Sequence, residues 1–217
     1  FFVPHTPSIE RDAAAAPHVL LRGWWASRPC HPTGFGQLCQ PTTISISAMA
    51  VTLHTSLGDL KFELYCEHAP VACENFLRLC ASDYYVNTVF HRNIKGFLVQ
   101  GGDPTNAGKG GRSAMSEDGD GFSNELVDSL KFSHRGILAM ANSGKENTNK
   151  SQFFVTYAKA PSLNGMYTIM GRLISGQETL DVMEKAPVQD AKKYRPKLDM
   201  TVTGTTIHAN PFAEPVA

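Results

Sequence analysis

The chain has 217 residues, and its 20 Lys plus Arg balance its 20 Asp plus Glu. This length is enough for one domain with its own hydrophobic core, and zero formal net charge argues against general electrostatic binding to nucleic acid or to an anionic membrane. The absence of an uninterrupted apolar run of about 18 residues predicts no transmembrane helix.

Residues 1–48 differ in composition from the rest of the chain. They contain neither Lys nor Met, are rich in Pro, Ala, Ser and Thr, and show no sustained period of 2 or 3.6. One interpretation is an organellar transit segment; the other is upstream sequence without a native fold, Met49 being the true start. The strand pattern directly after Met49 favours the second. Both predict disorder over 1–48 and a folded domain over 49–217.

Short strands and two helices are predicted after Met49. The segment Val51–Tyr65 alternates apolar and polar residues around Gly58-Asp59, which predicts a β-hairpin. A helix is predicted from Pro70, with an apolar stripe, and a second in "GQETLDVMEK", with Leu180 and Met183 facing inward. The other predicted strands are Val89–Arg92, Phe97–Gln100, Ile137–Ala141, Gln152–Thr156, Tyr167–Leu173 and Met200–Ile207.

Many short strands joined by glycine-rich turns, with only two helices, predict an all-β-dominated fold. The pattern favours a closed or nearly closed antiparallel barrel. The βαβ rhythm of a parallel sheet is missing from it.

The five cysteines predict buried thiols in a reducing compartment. They are odd in number and form no Cys-x-x-Cys, and Cys73 and Cys80 fall on one face of the first predicted helix. A thiol peroxidase or redox sensor using those two residues is a weaker alternative, because it needs thiols that react rapidly in the native protein. The glycine-rich segment "GGDPTNAGKGGRS" does not have the spacing of a phosphate-binding loop.

Two longer segments identify a family. The run "FHRNIKGFLVQGGD", Phe90–Asp103, and the run "SQFF", Ser151–Phe154, resemble the cyclophilin family of peptidyl-prolyl cis-trans isomerases. The resemblance extends from about Val51 to Ile207. The helix "CENFLRLCAS" and the C-terminal "TIHANPFA" are most similar to a small nuclear, spliceosome-associated branch of that family.

The resemblance implies a fold and a site. The fold would be a closed eight-stranded antiparallel β-barrel capped by two α-helices. Arg92 would be the catalytic arginine, acting with Gln100 and Phe97. The implied substrate-binding residues are Leu98, Phe154 and Leu163 in the proline pocket, Asn142 and Gln152 on the peptide backbone, Gly110 and Ala141 along the neighbouring groove, and Tyr167 in place of a common pocket histidine. The resemblance implies neither a metal nor a cofactor.

These residue types suit rotation about an X-Pro bond. Amide resonance gives that rotation a barrier of about 18–20 kcal/mol, and no covalent bond is broken. In the twisted amide the proline nitrogen regains a lone pair, to which the permanently protonated Arg92 can donate. A dry pocket formed by Phe97, Leu98 and Phe154 would strengthen this hydrogen bond.

The sequence departs from the family at the rim of the site. Ser162 stands where many members have a tryptophan that helps to bind cyclosporin, so we expect weak cyclosporin binding. Lys145-Glu146 replaces a single proline, and the loop "SAMSEDGDGFSNEL", with its acidic part at Glu117–Gly121, is also longer than usual. Both loops lie where they are expected to change which proline-containing peptides the groove prefers.

The expected function is isomerisation of X-Pro bonds in protein folding or complex assembly. The alternative is a proline-peptide-binding scaffold with little turnover. Expected partners are proline-containing peptides and proteins, with spliceosomal proteins among the candidates and without direct nucleic-acid or membrane binding. We expect a monomer in the nucleus or cytoplasm, with organellar targeting by residues 1–48 as the minor alternative.

Overall fold

A computed structural model describes residues 49–189 and 193–208. The expectation for residues 1–48 therefore lies outside the described residues. The strands are β1 Ala50–Thr55, β2 Gly58–Leu64, β3 Arg92–Ile94, β4 Leu98–Gly101, β5 Ile137–Met140, β6 Phe153–Thr156, β7 Ile169–Ser175 and β8 Val202–His208. The helices are α1 Pro70–Ala81 and α2 Gln177–Lys185.

The eight strands form one antiparallel sheet in the order β3-β4-β6-β5-β7-β2-β1-β8. The sheet curls as a half-barrel, and within the described ranges no ladder joins its edge strands β3 and β8. The prediction of a closed barrel was therefore wrong. The segment 87–90 occupies the place of a closing ladder: Phe90 N–H donates to Met200 O (2.9 Å), and Val89 bridges Asp103 on one side and Thr201 on the other.

The first hairpin and both helices follow the sequence pattern. The turn consists of Ser56 and Leu57, and the Gly58 predicted to mark it begins β2 with φ +126°. Helix α1 begins at Pro70, whose missing N–H costs nothing in a first turn. The N–H groups of Val71 and Ala72 are satisfied by the carboxylate of Glu125, at 3.0 and 2.8 Å.

The two faces of the sheet bury different apolar clusters. The larger cluster contains Val99, Leu138 and Val155 from adjacent strands, together with α1 residues such as Phe76. The second cluster lies on the opposite face, since it contains Leu98, Ala139 and Phe154, which alternate with those residues along the same strands. The candidate site lies over the second cluster.

Most predicted strands agree with the structure to within two residues. The exception is Val89–Arg92, because Val89 makes only isolated bridges and the strand runs from Arg92 to Ile94. The prediction of buried thiols is confirmed for Cys66, Cys73 and Cys80, which are free and buried. Burial raises the pKa of Cys80 well above its ordinary value. In the described part of the chain, no helix has the length and apolarity to cross a membrane.

Candidate active site

Two of the predicted catalytic side chains, Arg92 and Gln100, lie in one cross-strand row with Phe154. Arg92 on β3 pairs with Gln100 on β4, Gln100 pairs with Phe154 on β6, and Phe154 pairs with Ala139 on β5. Directly opposed residues of an antiparallel pair point to the same face. The register therefore places the cation of Arg92, the amide of Gln100 and the ring of Phe154 side by side.

An apolar pocket lies along this row. Leu98 and Phe154 are buried in its floor, and Phe97, Ala141, Leu163 and Tyr167 pack against them while remaining partly exposed. The Phe154 ring stacks on Phe132 with a centroid distance of 5.8 Å and meets the edge of Tyr167 at 5.4 Å. Such contacts fix the aromatic rings, so the pocket is a preformed apolar seat.

Two glutamines form a polar wall next to the pocket. Gln100 donates through Nε2 to Oε1 of Gln152 at 2.9 Å, and Gln152 donates through its own Nε2 to the carbonyl of Gly110 at 2.8 Å. These two hydrogen bonds fix the orientation of both amides, and no hydrogen bond within the described residues uses the Oε1 of Gln100. The wall therefore offers a positioned acceptor beside Arg92.

Asp103 fixes the position of Gly110, although the sequence did not predict Asp103 as a residue of the site. The buried Asp103 carboxylate accepts hydrogen bonds from the N–H groups of Thr105, Lys109 and Gly110, at 2.8, 3.0 and 3.1 Å. Burial alone would raise the pKa of Asp103, but hydrogen bonds from Thr105 and Gly110 outweigh it and lower the pKa. A Cβ on Gly110 would lie 2.4 Å from Asp103 Oδ1, so only glycine fits. An aspartate that lies just after a buried strand and before a glycine-rich loop is the sequence signal for this role.

Arg92 remains available to a ligand. Its side chain is exposed, and none of the ion pairs between described residues includes it. An exposed guanidinium that is not committed to a carboxylate can donate to a bound group.

Asn142 is occupied in a loop network. Its Nδ2 donates to Asn124 Oδ1 (3.1 Å), and its Oδ1 accepts from Gly144 N–H (2.9 Å). Asn124 also accepts a hydrogen bond from Asn149 at 2.9 Å. A peptide contact at this position would therefore use the main chain of Asn142, next to Ala141, whose own N–H donates to Gln152 O.

The departures from the family pattern surround this pocket. Ser162 is exposed in the 3-10 turn Pro161–Leu163, so it adds no wall above the pocket. A cavity of about 420 Å³ lies next to the pocket and is lined by Asn142 and Tyr167 on the shared side and by Lys145 and Glu146 on the other. The longer loop therefore borders the cavity next to the apolar pocket.

The comparisons agree with this geometry. Residues 50–207 match the family described as "Cyclophilin type peptidyl-prolyl cis-trans isomerase/CLD". The chain belongs to the cyclophilin family. The cyclophilin domain is 57% identical over 165 residues to "Peptidyl-prolyl cis-trans isomerase-like 3" of Dictyostelium discoideum, covering 76% of this chain and 99% of that protein. Identity to the human protein of the same name is 55% over 166 residues, covering 76% of this chain and all of that protein.

Solved cyclophilins have the same fold. A crystal structure of a Cryptosporidium parvum cyclophilin-type isomerase matches with a TM-score of 0.71 at 50% identity, covering 76% of this chain and 99% of that chain. A second structure of that protein, determined in the presence of the dipeptide Ala-Pro, matches with a TM-score of 0.70 at 51% identity, covering 74% of this chain and 99% of that chain. The family predicted from the sequence is confirmed.

The individual roles in this cyclophilin stay predictions. The structure places the three predicted catalytic residues, Arg92, Phe97 and Gln100, on one hairpin. It brings Leu98, Phe154, Leu163, Ala141 and Tyr167 together in the pocket, and Gly110 and Gln152 in the polar wall. Asn142 lies beside the pocket with its side chain engaged elsewhere.

Proposed function

We propose that this cyclophilin catalyses cis-trans isomerisation of X-Pro peptide bonds. The observation that carries the proposal is the row in which the exposed cation of Arg92 and the amide of Gln100 lie beside the ring of Phe154. Such a site holds a proline ring and supplies one permanent donor, which is what a rotating amide requires.

The proposed mechanism is preferential binding of the twisted amide. The pocket of Phe97, Leu98 and Phe154 seats the proline ring, and the polar wall accepts from the peptide backbone. As the amide twists, its nitrogen becomes pyramidal and gains acceptor character, and Arg92 donates to it. This hydrogen bond exists only in the transition state, so it increases kcat instead of only strengthening substrate binding.

A protease-coupled assay on a peptide containing Ala-Pro tests this function. We expect the protein to accelerate conversion of the cis form, which without catalysis takes tens to hundreds of seconds. The alternative function is a scaffold that binds proline peptides without turnover, favoured by the open rim at Ser162. Saturable peptide binding by calorimetry without any acceleration would select the scaffold and reject the enzyme.

The finer assignments are also proposals. Similarity to proteins named isomerase-like 3 supports the expected membership of the spliceosome-associated branch. We accordingly propose proline-containing segments of spliceosomal proteins as partners, action as a monomer, and a nuclear or cytoplasmic location. Pull-down with the full chain against tagged spliceosomal subcomplexes tests the partner, and a proline-peptide competitor is the control for use of the pocket.

We expect the protein to bind cyclosporin weakly, and we expect one substitution to increase that affinity. Ser162 is exposed above the pocket, so Ser162→Trp would add a large apolar wall. We expect this variant to bind cyclosporin about tenfold more tightly, a difference of about 1.4 kcal/mol. Calorimetry measures both affinities, with Ser162→Ala as the control that should not change. Submicromolar affinity of the unmodified protein would contradict the expectation.

A further inference from the structure

A polar cluster lies behind the predicted catalytic hairpin and is unused by the mechanism above. It consists of Asn93, Tyr157, Arg135 and Glu184, and we call it the hairpin bracket. Asn93 and Tyr157 are buried, at 1% and 3% exposure, and none of the four side chains belongs to the pocket. The hairpin bracket connects the hairpin β3–β4 to strand β6 and helix α2.

Asn93 fixes strand β3 from the side opposite Arg92. Adjacent residues of a strand point to opposite faces, so Arg92 faces the ligand while Asn93 faces inward. Asn93 Nδ2 donates to Met183 O on α2 at 2.8 Å, and its Oδ1 accepts from the Tyr157 hydroxyl at 2.7 Å. Both ends of the amide are engaged, so its orientation is fixed. Burial raises the pKa of Tyr157, so this hydroxyl keeps its proton and donates.

The turn that carries Phe97 is held at the same time. Glu184 accepts through Oε1 from the N–H of Gly96 at 3.0 Å, and the N–H of Tyr157 donates to Phe97 O at 2.9 Å. The turn between Arg92 and Phe97 thus has one anchor on α2 and another at the end of β6.

Arg135 connects the two halves of the hairpin bracket, Glu184 and Tyr157. Its guanidinium donates to the Glu184 carboxylate, to Asp181 Oδ1 at 2.6 Å and to the carbonyl of Tyr157 at 2.9 Å. The same group lies 5.3 Å from the centre of the Tyr157 ring. The carboxylate that holds Gly96 and the tyrosine that holds Asn93 are therefore joined through one cation.

We propose that Tyr157 and Glu184 are positioning residues for catalysis, which hold Arg92 and Phe97 in the geometry that the twisted amide requires. The proposal rests on the proposed isomerase function. Arg92 is exposed and makes no ion pair within the described residues, so its placement depends on the strand beneath it. A displacement of about 1 Å in a catalytic group can cost as much as a hundredfold in rate.

The test separates positioning from general stability. Tyr157→Phe removes one hydroxyl, and we expect kcat for an X-Pro peptide to fall about fivefold or more, with KM within about twofold. The matched control is Thr205→Val, which removes a hydroxyl that donates to Cys80 O at 2.9 Å, between β8 and α1. This variant should lose comparable stability in urea while its kcat does not change.

Glu184 supplies a rescue experiment. Glu184→Gln keeps one acceptor oxygen, which can still accept from the N–H of Gly96, but it replaces the oxygen that accepts from Arg135 with an NH2 group. Its kcat should therefore lie between that of the unmodified protein and that of Glu184→Ala, which should lose activity as Tyr157→Phe does. Hydrogen exchange of the Gly96 amide provides a readout without turnover. Exchange should accelerate in Glu184→Ala and be restored in Glu184→Gln.

The possible failures are distinguishable. If the unmodified protein is active while folded Tyr157→Phe and Glu184→Ala retain full kcat, the hairpin bracket has no positioning role. If the unmodified protein binds peptide without turnover, the proposed function fails. The hairpin bracket is then judged by the Arg92 Nε–H signal in NMR, which should shift and broaden in Tyr157→Phe but not in Thr205→Val; an unchanged signal would reject the proposal.

Discussion

Replacing Arg92 with alanine is expected to lower kcat/KM for an X-Pro peptide at least tenfold. A hydrogen bond from a charged donor contributes about 1.5–3 kcal/mol, which corresponds to about tenfold to a hundredfold in rate. Arg92 faces solvent, so the free energy of unfolding should change by no more than about 0.5 kcal/mol. The protease-coupled assay measures the rate, and urea denaturation verifies that the variant is folded.

Two companion variants make the Arg92 result specific. Arg92→Lys keeps the charge but loses the planar arrangement of donors, so its activity should fall between those of the unmodified protein and Arg92→Ala. Lys95→Ala removes another exposed cation from the same hairpin and should leave kcat/KM within about twofold. Full activity in a folded Arg92→Ala protein would remove Arg92 from the mechanism.

Phe153→Ala is expected to cause the largest loss of stability. Phe153 is fully buried, and its ring meets those of Phe76, Tyr85 and Phe90 at 5.5, 5.4 and 6.0 Å between centroids. Removing such a ring costs about 3–5 kcal/mol, because the buried area is lost and a cavity remains. Urea unfolding followed by fluorescence measures the loss. A loss below about 1 kcal/mol would show that this ring is not central to the core.

The neighbouring Phe154 gives a matched comparison. It follows Phe153 on β6 and points to the opposite face, into the apolar pocket. Leucine variants at both positions keep an apolar side chain and should remain folded. Phe153→Leu should lose mainly stability, while Phe154→Leu should lose about tenfold in kcat/KM. Equal effects on activity would mean that the pocket is not confined to one face of the strand.

The strands and helices could be predicted because their residues repeat with the period of their own secondary structure. Leu60, Phe62 and Leu64 alternate along β2, and all three are fully buried. Pro70 marks the start of α1 because its missing N–H and its fixed φ both suit the first turn of a helix. The pocket could be predicted because "FHRNIKGFLVQGGD" is one continuous segment whose residues stay together in a hairpin.

The rest depends on contacts between distant segments. The segment around Val89 lies between the two edges of the sheet, β3 and β8. Its sequence is compatible either with a continuous ladder that closes the barrel or with the isolated bridges that the structure shows. The partners of Asn93 are Tyr157 and Met183, 64 and 90 residues away in the chain. A single asparagine in a strand gives no sign of such partners, so the hairpin bracket could be found only in the structure.

NMR exchange spectroscopy on an X-Pro peptide in excess over the protein tests the central claim most directly. Uncatalysed exchange is too slow to give cross-peaks. We predict cross-peaks between the cis and trans forms with the unmodified protein, and their loss with Arg92→Ala. Peptide shifts that mark binding to the unmodified protein, without any cis-trans cross-peaks, would contradict the account.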